Sequence, residues 1–402
     1  MVRVVITGQG TINALGSDVA STVDAMERGQ SGISLMDFPN VDRLNVKIGG
    51  QIKDFDPKVY FDRQKITFYD RFTQFALIAA KEAILQSGLV FEGELSQYSG
   101  VIFGTAGGGL QTQDENYRAV YEEGKNRVHP FVVPRLMNNA AVSHVSMSNN
   151  LKGPSFTVST ACASSNHAMG QAFHLIRSGA AKVMIAGGSE SMLCFGGIKA
   201  WEGLRVMSQD GCRPFCATRN GMVQGEGAAV FVFEEFEHAR ARGANILAEI
   251  SGFAMSSDAG DIVMPSVGGA RRAILAALND AKLNPEDIDY INAHGTGTAA
   301  NDKTETAAIK EVFKNYEKNI MVSSTKSMHG HLIGGTGAVE LLACIAALKD
   351  GIIAPTIGYQ KHDPNCDLDI VPNQARQKKV NAVISNAFAF GGLNAVIALK
   401  SI

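Results

Sequence analysis

Apolar positions along this chain follow two recurring rhythms. Short runs of β-branched and small residues, each bounded by Gly, Ser or Asn, occupy 2–7, 100–104, 155–159, 182–186 and 228–233. A second series occupies 246–252, 288–292, 320–324, 382–385 and 395–399. Runs of this length, closed by turn residues, predict strands. Between them, 71–87, 163–178, 271–281 and 337–350 repeat apolar residues three and four apart, which predicts helices with a buried face. Several strand runs, such as Ala229-Val-Phe-Val-Phe233, are apolar throughout, as suits strands covered on both sides. The alternation predicts an α/β chain with a largely parallel, buried sheet and helices on its faces. Because the series repeats, the chain reads as a duplication, 1–250 and 251–402. Segments 38–66 and 115–134 are less regular and read as excursions that cover a site or a partner.

Composition narrows the class. A chain of 402 residues with 45% apolar and 19% charged residues can bury a large core, which excludes disorder. Its 37 Lys+Arg nearly balance 39 Asp+Glu, so no bulk affinity for nucleic acid or anionic membranes is expected. The first residues lack a signal-peptide core, and no run approaches the roughly 18 apolar residues of a membrane span. Cys162, Cys194, Cys212, Cys216, Cys344 and Cys366 form no CxxC pair, which suggests reduced thiols and a cytoplasmic location.

Four stretches carry candidate chemistry. The run 155–159 passes through small residues into Cys162 and then a helical pattern, so the thiol is expected at a strand-to-helix turn. There the helix dipole favours thiolate and backbone amides can receive an oxyanion. Asn292-Ala-His-Gly-Thr-Gly-Thr298 follows a strand and places His294 at its carboxyl end, where α/β crevices open. The stretch from Ser323 to Gly337 contains Lys326, His329 and His331. Neither a metal site nor a phosphate loop fits it, since no acidic or Cys partner is suitably spaced and Lys326 precedes the glycines. Ser385-Asn-Ala-Phe-Ala-Phe-Gly-Gly-Leu-Asn394 reads as a bend between two strands. One Cys and two His residues past strands point to thiol-based acyl transfer.

Taken together, Thr160-Ala-Cys-Ala-Ser-Ser, Asn292-Ala-His-Gly-Thr, Lys326-Ser-Met-His-Gly-His and Phe388-Ala-Phe-Gly-Gly resemble the Cys-His-His signatures of β-ketoacyl-acyl-carrier-protein synthases of the elongating I/II type. The resemblance runs from the first strand to Leu399. It implies a thiolase-like fold, duplicated mixed sheets with helices in five layers, acting as a homodimer or as a heterodimer with a chain-length factor. The implied reaction is decarboxylative condensation of malonyl-acyl-carrier protein with an acyl group on Cys162. His294 and His331 would form the decarboxylation pair, with Lys326 in the site and Glu340 supporting it. Thr296 and Thr298 would hold the phosphopantetheine arm that arrives on the carrier, so no resident cofactor or metal is implied. Phe388 would be the gate, its N–H joining that of Cys162 in the oxyanion hole.

Three departures from the family pattern stand out. The carrier-docking stretch keeps only Arg63 and Lys65, which shifts the expected docking charge to Arg205, Arg213 or Arg135. Ala389 replaces a glycine between the two phenylalanines, where a methyl would stiffen the gate. Gly107 stands where many relatives carry a bulkier residue, which implies a deeper acyl pocket for long or unsaturated chains. Specialised relatives making nodulation-factor or polyene chains are the nearest match in character. A thiolase is disfavoured because 388–394 contains no second cysteine, and a synthase III because the third position is His331. A non-catalytic chain-length partner is the alternative from outside the enzymes.

Overall fold

The structure, a computed structural model, describes residues 2–316 and 319–402. Ten strands form one sheet: β1 (Val4–Asn13), β2 (Ser99–Gly104), β3 (Ser155–Val158), β4 (Val183–Glu190) and β5 (Gly227–Glu235), then β6 (Ala248–Ser257), β7 (Tyr290–Asn292), β8 (Met321–Ser323), β9 (Ala382–Ala389) and β10 (Leu393–Lys400). Their spatial order is β8-β7-β9-β10-β6-β1-β5-β4-β2-β3. Each half therefore repeats one order: its third strand, second, fourth, fifth and first. The two first strands pair antiparallel, Val4 opposite Ile250 and Ile6 opposite Ala248, and so join the halves.

Pairing is parallel only within β3-β2-β4 and β8-β7-β9. The remaining neighbours are antiparallel, so the largely parallel sheet expected from the alternation is corrected to a mixed one. The reason is plain at β9, which returns into β10 through the turn Phe390–Gly392. So short a connection permits only antiparallel pairing.

Two helices, Ser164–Arg177 and Thr336–Asp350, pack between the halves and touch strands of both. Every residue from Thr336 to Leu348 is buried, which is why that helix is apolar nearly all round. Arg71–Ser87 and Ala140–Ser148 cover the outer face of the first half, and Val267–Ala281 with Ala299–Phe313 cover that of the second. The two halves of the one sheet thus form two of five layers: helix, half-sheet, helix, half-sheet, helix. Among the described residues no helix is long and apolar enough to cross a membrane.

Two helices lack the apolar rhythm that would announce them. Leu110–Tyr121 buries only Thr112, and it turns part of the irregular 115–134 stretch into a helix. Ala299–Phe313 buries Asn301, Asp302, Glu305 and Thr306 beside its apolar face, which breaks the expected periodicity.

Candidate active site

Cys162, the candidate nucleophile, sits on a strained elbow. Ala161 adopts a left-handed φ of 47°, which swings Cys162 off the strand just before the helix Ser164–Arg177 begins. Ser164 Oγ staples the turn by accepting the Thr160 N–H at 2.8 Å and donating to the Ala161 carbonyl at 2.6 Å. Ser165 Oγ accepts the Ala338 N–H at 3.2 Å, which ties this helix to the second central helix.

The second half delivers the two candidate histidines. His294 follows β7, and its N–H and that of Gly295 both donate to Glu305, at 2.8 and 2.7 Å. His331 lies between β8 and the helix Thr336–Asp350. Cys162, His294 and His331 each present one ligand-type atom, and these three atoms lie within 4.8 Å of one another. The imidazoles meet edge to face with centroids 5.5 Å apart. His329 stands apart from this trio, its two ring nitrogens taken by the Gly330 carbonyl and Thr325 Oγ1.

Hydrogen bonds fix the tautomer of His331. Its Nδ1 accepts the Ile333 N–H at 3.2 Å and lies 2.8 Å from Thr336 Oγ1. The ring proton is therefore on Nε2, which is buried without a protein partner. An orphaned buried donor is costly unless something arrives to accept from it. Here it faces the cavity that holds the sulfur.

Electrostatics follow from burial and one lysine. Desolvation holds His294 and His331 well below the ordinary 6.5, and the Lys326 ammonium pushes them the same way, so both rings are neutral. Lys326 is fully buried and paired with Glu340 at 2.5 Å. Burial raises Glu340 to about 7 although Lys326 pulls it down. For Cys162 the expectation of a thiolate is corrected. Burial pushes the thiol up to about 12, more than Lys326 and the N–H groups of Phe390 and Cys162 recover. A dipole at a helix end is worth less than the cost of desolvating a sulfur anion, so the resting site holds a thiol.

The oxyanion assignment is corrected too. Phe388 remains inside the ladder opposite Asn394, and its ring lies against His294 at 6.2 Å. The N–H that faces the Cys162 sulfur belongs to Phe390, at the turn where the ladder ends. Ala389 has an ordinary extended backbone (φ −102°), so its methyl strains nothing. The turn's freedom comes from Gly391 and Gly392, whose φ values of 79° and 67° suit glycine.

A cavity opens over the sulfur. Cys162, His294 and His331 form its floor, with Thr296 and Thr298 on one wall and Trp201, Val263, Phe388 and Phe390 around the rest. The two threonine hydroxyls are 2.9 Å apart, and Thr298 also caps the helix Ala299–Phe313. Gly107 does not line this cavity. A Cβ there would stand 2.3 Å from Met192 Cε, so the room left by the missing side chain is filled by a methionine.

Of the docking candidates, Lys65 pairs with Asp62 at 3.4 Å and Arg213 with Asp210 at 2.9 Å. Arg63 is exposed on its short helix, and Arg135 is half-buried. Arg205 is exposed between the cavity-lining Trp201 and Val206.

Two carboxylates escaped the sequence reading. Glu190, buried at the end of β4, accepts from Thr105 Oγ1 and the N–H groups of Ala106, Gly107 and Gly334, at 2.7 to 3.2 Å. Burial lifts it to about 7. Glu305 does the equivalent work beneath His294. A lone acid ending an otherwise apolar run was the signal available for Glu190, because such a charge must find donors.

Residues 1–239 match the family model for "Beta-ketoacyl synthase, N-terminal domain", and 247–360 match "Beta-ketoacyl synthase, C-terminal domain". Nodulation protein E of Rhizobium sp. (strain N33) is 46% identical over 400 residues, covering 100% of this chain and 99% of that protein. The 3-oxoacyl-[acyl-carrier-protein] synthase 2 of Staphylococcus aureus (strain MRSA252) is 39% identical over 406 residues, covering 99% and 98%. Among solved structures, the ishigamide ketosynthase/chain length factor superposes with a TM-score of 0.94 at 32% identity, covering 100% and 99%. A type II PKS ketosynthase in complex with its acyl-carrier protein gives 0.90 at 30%, with the same coverage. The five layers are thus the thiolase-like fold.

Proposed function

This chain belongs to the β-ketoacyl synthase family, and on that premise we propose how its residues share the condensation. The chain is an elongating ketosynthase. In the first step Cys162 Sγ attacks the thioester of an acyl-loaded carrier protein. A bond from sulfur to the acyl carbon replaces the carrier's, and the Cys162 proton leaves on the carrier thiol. The N–H groups of Cys162 and Phe390 receive the transient oxyanion. Because the resting sulfur is protonated, this proton transfer accompanies attack.

Malonyl-carrier then enters along Thr296 and Thr298, which hold its phosphopantetheine arm. The bond to the carboxylate breaks, CO₂ leaves, and the electron pair spreads onto the thioester oxygen as an enolate. His331 Nε2–H donates to that oxygen, and His294 stands opposite as the second donor. Both are neutral, so neither loses a proton to the enolate outright. The enolate carbon attacks the acyl carbonyl, the Cys162 bond breaks, and the sulfur takes up one proton. The product is a β-ketoacyl-carrier two carbons longer.

The single observation that carries this reading is the meeting of a thiol, two neutral imidazoles and a backbone amide in one buried cavity. Arg205 on its rim is the docking charge for an acidic carrier. The edge strand β3, with Phe156 exposed, is where a second synthase-like chain seats, either another copy or a chain-length factor. Met192 fills the room beside Gly107, so long or unsaturated chains would be admitted there only as that pliable side chain moves aside. The higher identity to a nodulation protein than to the synthase 2 enzymes supports a specialised acyl product.

Incubation with malonyl-carrier and a ladder of acyl-carriers, followed by mass spectrometry of the products, tests the reading. Product two carbons longer is expected. No product, with Cys162 resisting iodoacetamide, would instead support the non-catalytic partner. Gly107→Phe should shorten the accepted chains; an unchanged chain-length profile would remove the pocket idea.

A further inference from the structure

Phe390 supplies an amide to the sulfur from the point where the ladder ends. It stands at the first residue of a turn, followed by two glycines in left-handed conformation. The glycines are anchored on the far side: Gly391 N–H donates to the Ile262 carbonyl at 2.8 Å, and Asp258 N–H donates to the Gly392 carbonyl at 2.9 Å. Those bonds fix the tip of the turn, while the Phe390 N–H lies in the peptide it shares with Ala389, at the last rung of the ladder opposite Leu393.

What remains is its side chain. The Phe390 ring stacks on the indole of Trp201, with centroids 5.9 Å apart and planes 22° apart. Trp201 belongs to the helix Phe195–Gly203, an element of the first half, so the contact crosses from one half to the other. The indole is half-buried, packs at the margin of the core that contains Cys162, and lines the same cavity. A broad offset contact of this kind fixes the orientation of a ring and is weak enough to part when a ligand enters.

We propose that Trp201 is a positioning residue that aims the Phe390 amide at the Cys162 sulfur and yields when an acyl chain arrives. The role rests on the condensing reading, since it acts through the acyl transfer step. Trp201 is the only tryptophan in the chain, so its emission reports the contact directly.

The test uses the full-length protein with octanoyl-loaded acyl carrier protein. Intact mass follows acylation of Cys162 while tryptophan emission is recorded over the same time course. Emission is expected to shift in step with acyl-enzyme formation. Trp201→Ala should slow acylation about 10- to 100-fold, chiefly in kcat, because a misplaced donor loses most of its value. Trp201→Phe, which keeps a stacking face, should recover to within a few-fold of wild type. Unchanged acylation in Trp201→Ala would overturn the proposal. So would constant emission in wild-type protein whose Cys162 is seen by mass to be acylated, a measurement that stands even if the alanine variant fails to fold. If wild-type Cys162 takes no acyl group at all, the condensing reading fails and this role falls with it.

Discussion

The two halves of the molecule repeat one strand order and supply opposite chemistry. After its third strand, β3, the first half turns through Cys162 into a central helix. After β8 the second half turns through Lys326 and His331 into the other central helix. After their second strands the contrast repeats. The 105–107 loop of the first half is small and braced by Glu190, whereas the 294–296 loop of the second carries a histidine and is braced by Glu305. On the proposed reading, one half offers the nucleophile, and the other the groups that shelter negative charge. Strand order decides where loops arrive, at the carboxyl ends of parallel strands, and loop residues decide what happens there. Neither half is a site alone, because the convergence of sulfur and imidazoles depends on the two central helices packing together.

The strongest way to break the comparison is to disable one half at a time. Cys162→Ala should abolish acyl-enzyme formation, while His294→Ala and His331→Ala should each lower malonyl-dependent condensation about 10²–10³-fold with Cys162 still acylated. Intact mass and product assays read the two steps separately, and unimpaired condensation in either histidine variant would refute the division of labour.

Next come the braces. Glu190 sits at about 7 in the folded protein against 4.5 for an ordinary glutamate. The folded state therefore keeps this proton longer, so its contribution to stability is full below 4.5 and fades as pH rises through 7. The fade amounts to about 3 kcal/mol. Glu190→Gln should flatten that slope in denaturant titrations run across the window; a parallel slope would show that the carboxylate does not titrate there.

Glu305→Gln should weaken the loop beneath His294 by about 1–3 kcal/mol, because one amide oxygen replaces two carboxylate oxygens that receive backbone N–H groups. The loss should fall on condensation and spare acylation, which thermal unfolding and the two assays would distinguish.

The smallest expected effect is an absence. Both catalytic imidazoles are held well below 6.5, so lowering pH through that value leaves them neutral. Malonyl decarboxylation should show no inflection from either imidazole near 6.5, and one that persists when Glu340 and Glu190, both at about 7, are each replaced by glutamine would mean that at least one ring is exposed to water.

Much of this was legible in the chain itself. Apolar runs ending in turn residues became strands because a strand covered on both faces is apolar along its length, as 183–186 and 228–233 are. Cys162, His294, Lys326 and His331 stand out because each follows such a run. Other features were hidden for physical reasons. Ala299–Phe313 buries acids and amides to hold a loop, so hydrophobic periodicity could not reveal it. Phe388 and Phe390 are alike in type and differ only in which is still inside the ladder, a matter of where the hairpin turns. Beside Gly107 the space belongs to Met192, far away in sequence.

Sequence alone determined the strand and helix runs and the duplication, and it put forward the candidate reactive groups, since these depend on local pattern and residue chemistry. Tertiary structure alone decided the pairing directions, the amide that meets the sulfur, the tautomer of His331 and the protonated state of Cys162. Each of these depends on which distant groups share a dry space, and desolvation and hydrogen bonding across that space have no local signature.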